Sequence, residues 1–161
     1  MKLKTNNEGF TLIELITTLL VLVAVVQIFV LITGDITSSF LVRDNLIAAN
    51  LVQEGIEVAR NIRDRDWFLG NSFGASLPAG TWRVQWNSNS LLPLDLNPPL
   101  KKDSNYGVFS YDIGTDTVFK RTLSITMISP QEIRVTSTVI WNFKGSAKNI
   151  TAENHLFNWF K

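Results

Sequence analysis

Glu14 is the residue of this chain whose chemistry most needs a reason. It is the only ionised group between Phe10 and Ile32, a stretch whose other polar residues are Thr11, Thr17, Thr18 and Gln27. A charge inside hydrocarbon costs roughly 2.5–3.5 kcal/mol, so such a carboxylate marks a functional hypothesis. Either it snorkels to the headgroup region, or it meets a counter-charge whose attraction is strong in a low dielectric and fixes register. Catalysis finds little to work with: one His, no Cys, and no nucleophile with a base and an orienting acid at a recognisable spacing. His155, next to Leu156 near a strand end, is expected to be a surface or edge side chain, because no second His or Cys exists to complete a soft metal site. Asp103, Asn105, Asp112 and Asp116 lie in or beside loops and are the oxygen donors a calcium ion would use, without the spacing of an EF-hand. The expectation is a protein that is not an enzyme and carries no metal or cofactor.

The element that carries Glu14 is long and apolar. The 23 residues from Phe10 to Ile32 would reach about 34 Å as a helix, enough to cross a bilayer core of about 30 Å. Lys2 and Lys4 precede this segment, whereas Asp35 follows it and no basic group appears until Arg43. The positive-inside rule then places the N-terminus in the cytoplasm and Thr33 onward outside. A secretory signal peptide fits poorly: the apolar run is too long, and "TGDITSSF" offers no small-x-small cleavage site. The outer part has no cysteine to form disulfides and is expected to be held by packing alone.

The junction "NNEGFTLIEL", Asn6 to Leu15, is more specific. A short basic polar leader ending in Gly9, then Phe10-Thr11-Leu12-Ile13-Glu14-Leu15, then a long apolar helix, resembles the N-terminus of type IV prepilins and type II secretion pseudopilins. The resemblance implies cleavage between Gly9 and Phe10 by a membrane prepilin peptidase, and N-methylation of the new Phe10 amine. Glycine suits the position before the cut, since a missing side chain lets the backbone approach catalytic carboxylates. It also implies that Glu14 serves filament assembly, its carboxylate paired with the N-terminal amine of a neighbouring subunit. Many family members carry a Pro or Gly inside the apolar helix; Leu12 to Ile32 has neither, and Gly34 is the first candidate breaker. Some secretion pseudopilins bind calcium in the part of the fold where the four loop residues named above would lie.

Beyond the span the helical period continues. Ile36, Phe40, Ile47, Leu51, Gly55, Val58 and Ile62 recur near a spacing of 3.6, with charged and polar residues elsewhere around the turn. Glu57 with Arg60 and Arg60 with Asp64 fall at i, i+3 and i, i+4 as surface pairs. After Trp67 the period changes. "GNSFGASLPAG" is a linker, Thr81 to Trp86 alternates with Trp82, Val84 and Trp86 on one face, and the prolines of "LLPLDLNPPLKKDSN" mark a loop. Further strands are predicted at Tyr106–Ile113, Thr117–Ile128, Glu132–Phe143 and Asn149–Phe157, with turns at Gly114-Thr115-Asp116, Ser129-Pro130-Gln131 and Lys144-Gly145-Ser146. Phe119, Leu123, Ile125 and Met127 face inward if Arg121 lies near a sheet edge, and Ile133, Val135, Val139, Trp141 and Phe143 share one face of the next strand. The fold class is α+β: a long N-terminal helix, half membrane and half amphipathic, packed on a C-terminal antiparallel sheet, which is also the pilin-like architecture the resemblance implies. The division is a leader at 1–9, a transmembrane and assembly helix at 10–32, an outer helix at 33–66, and a linker and sheet at 67–161 that form one globular domain with 33–66. "AANLVQEGIEVARNIRDRDW" and the C-terminal "IRVTSTVIWNFKGSAKNITAENHLFNWF" also resemble minor pilins, less specifically than the leader junction.

Charge argues against a nucleic-acid role. Without the leader, 15 basic residues less Lys2 and Lys4 leave 13, and 14 acidic residues less Glu8 leave 13. Lys101-Lys102 and Lys120-Arg121 are isolated pairs, far from the clustered footprint that phosphate binding needs. "NIT" at Asn149 is a glycosylation sequon by pattern alone. The expected function is a structural, minor subunit of a type IV pilus or type II secretion pseudopilus. Its expected partners are other pilin or pseudopilin subunits, the prepilin peptidase, an inner-membrane assembly platform, and membrane lipid before assembly. The alternative is a singly anchored surface binding domain that never polymerises, supported by Trp67, Trp82, Trp86, Trp141 and Trp159 in the outer region, although core packing is the plainer role for most of these.

Overall fold

The computed structural model describes residues 11–159, with the side chains of residues 33–37 left aside. The chain is α+β: one long helix, α1 (Leu12–Phe68), then strands β1 (Gly80–Arg83), β2 (Leu92–Pro93), β3 (Lys101–Lys102), β4 (Phe109–Ser110), β5 (Thr115–Asp116), β6 (Lys120–Ser129), β7 (Glu132–Phe143) and β8 (Ser146–Phe157). Packing divides it into two units, one ending at Val42 and one beginning at Arg43. The second unit thus starts ten residues later than the boundary at Thr33, since the buried side chains begin with Asp44 and Ala48 and the described residues from Ser38 to Phe40 are exposed.

In the first unit, Leu12–Ile32 is a 21-residue apolar helical stretch with none of its residues buried. At 1.5 Å per residue it spans about 31 Å, long enough to cross a membrane. No other helix among the described residues has that length and composition. A helix apolar all round is stable only where something apolar surrounds it.

In the second unit the outer part of α1 buries one face. Leu51, Val58 and Ile62 are buried as their spacing predicts, joined by Ala48, Val52, Ile56 and Ala59, whereas Phe40 remains exposed. The helix stops in a Schellman motif: Asn71 N–H donates to Asp66 O (2.8 Å) and Gly70 N–H to Trp67 O (3.0 Å). Gly70 takes the left-handed conformation, φ 73°, that this motif requires. The buried Asp66 carboxylate then accepts from Ser76 N–H (2.8 Å), Ser76 Oγ (2.7 Å) and Asn71 Nδ2 (3.2 Å), tying the following loop to the helix end.

The main sheet has the order β2-β1-β6-β7-β8, and every neighbouring pair is antiparallel. β6, β7 and β8 follow one another as an antiparallel meander. The β7–β8 link is a two-residue hairpin, Lys144-Gly145, with φ of 51° and 80°; positive φ at both positions is the primed geometry that matches strand twist. A second, smaller sheet has the order β4-β3-β5.

Here the structure departs from the sequence pattern. The proline-rich loop contributes β2, paired to β1 at the sheet edge where a missing amide is tolerated, and β3, the centre of the small sheet. Tyr106–Ile113 shortens to Phe109–Ser110, and Thr115-Asp116, expected as a turn, is β5. These strands of two residues are defined by distant partners, which local periodicity does not report. Arg121 is not near an edge: it sits on the central strand β6 and is fully buried, on the same face as Phe119, Leu123 and Ile125. Met127 is 46% exposed, beyond the covered part of that face, and a register shift follows it.

Two apolar clusters fill the space between helix and sheet. One contains Ala48, Leu51, Val52, Leu100, Phe119, Val139 and Trp141; the other contains Ile56, Ala59, Ile62, Leu123, Ile133, Val135 and Leu156 with their neighbours. Gly55, Arg121 and Ser137 fall between them on α1, β6 and β7. Gly55 has no side chain because none fits: a Cβ there would lie 2.5 Å from Ser137 Oγ and 3.3 Å from Arg121 Cδ.

Candidate functional site

The first turn of α1 is built by two residues three apart. Thr11 N–H donates to Glu14 Oε2 (2.9 Å), Thr11 Oγ1 donates to the same oxygen (3.0 Å), and Glu14 N–H donates to Thr11 Oγ1 (3.4 Å). This is a capping box, with Thr11 as N-cap and Glu14 at the third helical position. It satisfies amides that a helix start leaves without intrahelical partners, and the carboxylate faces the positive end of the helix dipole. The signal was present as Thr-x-x-Glu before an apolar run, and reading Glu14 only as a membrane charge misses it.

The other hydroxyls near Glu14 are turned inward on the backbone. Thr17 Oγ1 donates to Ile13 O and to Glu14 O, both at 3.0 Å, and Thr18 Oγ1 also donates to Glu14 O. Back-bonding of this kind hides polar groups from hydrocarbon. Glu14 Oε1 is different. Among the described residues it has no hydrogen-bond partner and no ion pair, so the cap uses one carboxylate oxygen and leaves the other free. Gly9 and Phe10, the expected cleavage and methylation positions, lie outside the described residues.

A second charged residue in apolar surroundings was not foreseen as buried. Arg121 donates through Nη1 to Leu51 O (2.9 Å) and to Glu54 Oε1 (2.9 Å), and through Nη2 to Val84 O. It therefore joins the helix, β6 and the end of β1, and forms an ion pair whose acidic partner is 31% exposed. Its Nε and the Ser137 hydroxyl are buried without a partner. Tyr111, whose hydroxyl lies 3.5 Å from Arg121 O, has its phenol pushed up by burial, against the pull of Arg121 and Arg83.

Other expected residues fall in separate places. His155 is on the edge strand β8, with Nδ1 2.5 Å from Glu132 Oε1 and Nε2 3.2 Å from Glu153 Oε1; hydrogen bonds to these two carboxylates raise its pKa above the ordinary value of 6.5. Arg60 pairs with Glu57 at 2.7 Å as predicted, but Asp64 pairs with Arg63, not Arg60. Asp103 caps a turn by accepting from Asn105 N–H (2.7 Å), Asp112 accepts from Gln85 Nε2 (2.7 Å), and Asp116 lies on β5. Among the described residues, no group of three or more His, Cys, Asp or Glu is arranged to hold a metal ion. Of the tryptophans, Trp141 is buried, whereas Trp86 and Trp159 are exposed.

Comparison with family models, with curated proteins and with solved structures finds no match to this chain.

Proposed function

We propose that this chain is a structural, minor subunit of a type IV pilus or a type II secretion pseudopilus, with a pilin-like fold. It is processed between Gly9 and Phe10, methylated at Phe10, and assembled through the first half of α1. In this reading it starts as a single-pass inner-membrane protein with a cytoplasmic N-terminus, and then enters an extracellular or periplasmic filament. It catalyses nothing; its partners are like subunits, the prepilin peptidase, the assembly platform and lipid.

The observation that carries the reading is the half-used carboxylate of Glu14 at the head of an apolar stretch, Leu12–Ile32, none of whose residues is buried. Membrane lipid or neighbouring helices can cover that apolar surface. A cationic N-terminal amine, one helical turn before Glu14 in a neighbour, supplies the charge that Oε1 lacks. The capping box holds the carboxylate in place, which reduces the ordering cost of the contact.

The test separates insertion from assembly. Glu14→Gln keeps an acceptor for the Thr11 cap and is easier to place in hydrocarbon, so membrane recovery should equal or exceed wild type while recovery in sheared filaments falls. Equal recovery in filaments would remove Glu14 from assembly and leave only topology. Processing is checked independently by mass spectrometry in a host with an active prepilin peptidase: loss of Met1 to Gly9 and a methylated Phe10 amine are expected, and a bulky residue at position 9 should block the cut.

A further inference from the structure

The second unit carries a cavity that assembly through α1 does not use. It has a volume of about 400 Å³ and opens between the β1–β2 connection and the small sheet, lined by Trp86, Tyr106, Val108, Ile113, Asp103 and Asp112 with two polar neighbours. Trp86 is 51% exposed, Tyr106 82% and Ile113 70%. Large apolar side chains grouped at a concave surface and left partly exposed favour an apolar body laid on them.

The walls are tied together before any ligand arrives. Gln85, buried beside Trp86, donates to Asp112 Oδ2 (2.7 Å) and accepts from Tyr111 N–H (2.8 Å), which joins the two sides of the cavity. Ser110 Oγ donates to Ile113 O (3.2 Å) and accepts from Ile113 N–H (3.4 Å). Asp103 Oδ1 accepts from the amides of Asn105 (2.7 Å) and Tyr106 (3.4 Å). Gly114, at φ 121°, passes so close to the Lys102 carbonyl that a side chain would collide with it.

Charge selects the ligand. Each aspartate is held by neutral donors through one oxygen, so Asp103 Oδ2 and Asp112 Oδ1 have no partner among the described residues. Neither carboxylate forms an ion pair there, and no Lys, Arg or His lines the cavity. An anion is repelled. A neutral sugar would cover the aromatic faces and leave both charges uncompensated. We propose that this cavity binds a small organic ammonium ion, its charged nitrogen held by the Asp103 and Asp112 carboxylates and the faces of Trp86 and Tyr106, its alkyl body against Val108 and Ile113. Cation–π attraction and the Coulomb attraction of the two carboxylates both favour a positive charge in this cavity. These residues are separate from Glu14, so this inference stands or falls independently of filament assembly.

The experiment is a calorimetric titration of the full chain, in a polyoxyethylene detergent, with choline and with its uncharged isostere 3,3-dimethylbutan-1-ol. Choline should saturate one site and the isostere should bind at least about ten-fold more weakly. Trp86→Ala and Tyr106→Ala should each weaken choline binding about five-fold or more with the thermal transition unchanged, since both side chains are at the surface. Equal affinity for the isostere, no saturable choline binding, saturation by methyl glucoside in place of choline, or choline binding indifferent to both variants would each overturn the assignment.

Discussion

Glu14 and Arg121 are both charges set among apolar residues, and the chain treats them in opposite ways. Arg121, fully buried in the second unit, reaches a helix carbonyl, a carboxylate and the Val84 carbonyl just past β1, all from its own chain. Glu14 reaches only Thr11, three residues away, and keeps one oxygen without a partner among the described residues. A buried charge with its partners in the same chain contributes to a single packed arrangement, and removing a partner leaves an uncompensated group at large cost. A charge that is half satisfied contributes little alone and becomes favourable when an outside cation arrives. On the function proposed above, the difference separates a residue of architecture from a residue of assembly.

The largest effect should come from removing the first kind. Arg121→Ala should destabilise the second unit by about 3–5 kcal/mol in urea unfolding followed by tryptophan fluorescence. Because Glu54 is partly exposed, it can be rehydrated, so Arg121→Met with Glu54→Gln should recover part of the loss. If Arg121→Ala costs under about 1 kcal/mol, comparable to an exposed surface pair, the contrast with Glu14 collapses.

Next comes the space around Arg121. Gly55→Ala should cost about 1–3 kcal/mol, because its Cβ would meet Ser137 Oγ at 2.5 Å. Adding Ser137→Ala should restore most of that stability, since the hydroxyl removed has no hydrogen-bond partner. Strict additivity of the two changes would show that the helix and sheet do not meet there as described.

A smaller effect sharpens the Glu14 side. Thr11→Ala removes the N-cap and should cost the first turn about 1 kcal/mol. If Glu14 acted only as a cap, this variant would lower filament recovery at least as much as Glu14→Gln does. Counter-charge pairing predicts that Glu14→Gln falls far more, with both variants recovered normally in membranes.

The smallest effect concerns a charge cluster at the surface. His155 gains its raised pKa from hydrogen bonds to Glu132 and Glu153, so the protonated ring is favoured in the folded state. That stabilisation is complete below the unfolded value of 6.5 and is lost as pH rises through the higher folded pKa. Thermal unfolding should therefore show a shallow decline on raising pH through neutrality, and Glu132→Gln should flatten it. An unchanged slope in that variant would separate the pH dependence from this pair.

Much of this molecule can be read from local pattern. The span, the amphipathic outer helix, the meander from β6 to β8 and the alternation of Ile133, Val135 and Val139 follow from periods of 3.6 and 2, which each residue's neighbours carry. The isolated carboxylate of Glu14 is visible in the same way, and its cap with Thr11 is legible from a spacing of three. What local pattern does not hold is pairing at long range. β2, β3 and β5 are strands of two residues that exist because of their partners, and the cavity between Trp86 and Asp112 brings together segments 26 residues apart in sequence.

Arg121 marks the boundary between the two. Its place in the alternation with Phe119 and Leu123 put it on the inward face, and the sequence alone determined that much. Whether such an arginine lies at an edge or at the centre depends on what waits to receive it. Only the tertiary structure supplied the Leu51 and Val84 carbonyls and the Glu54 carboxylate at hydrogen-bonding distance, with Gly55 leaving room for the side chain. The desolvation of a charge is offset by groups distant in sequence, and no period along the chain records them.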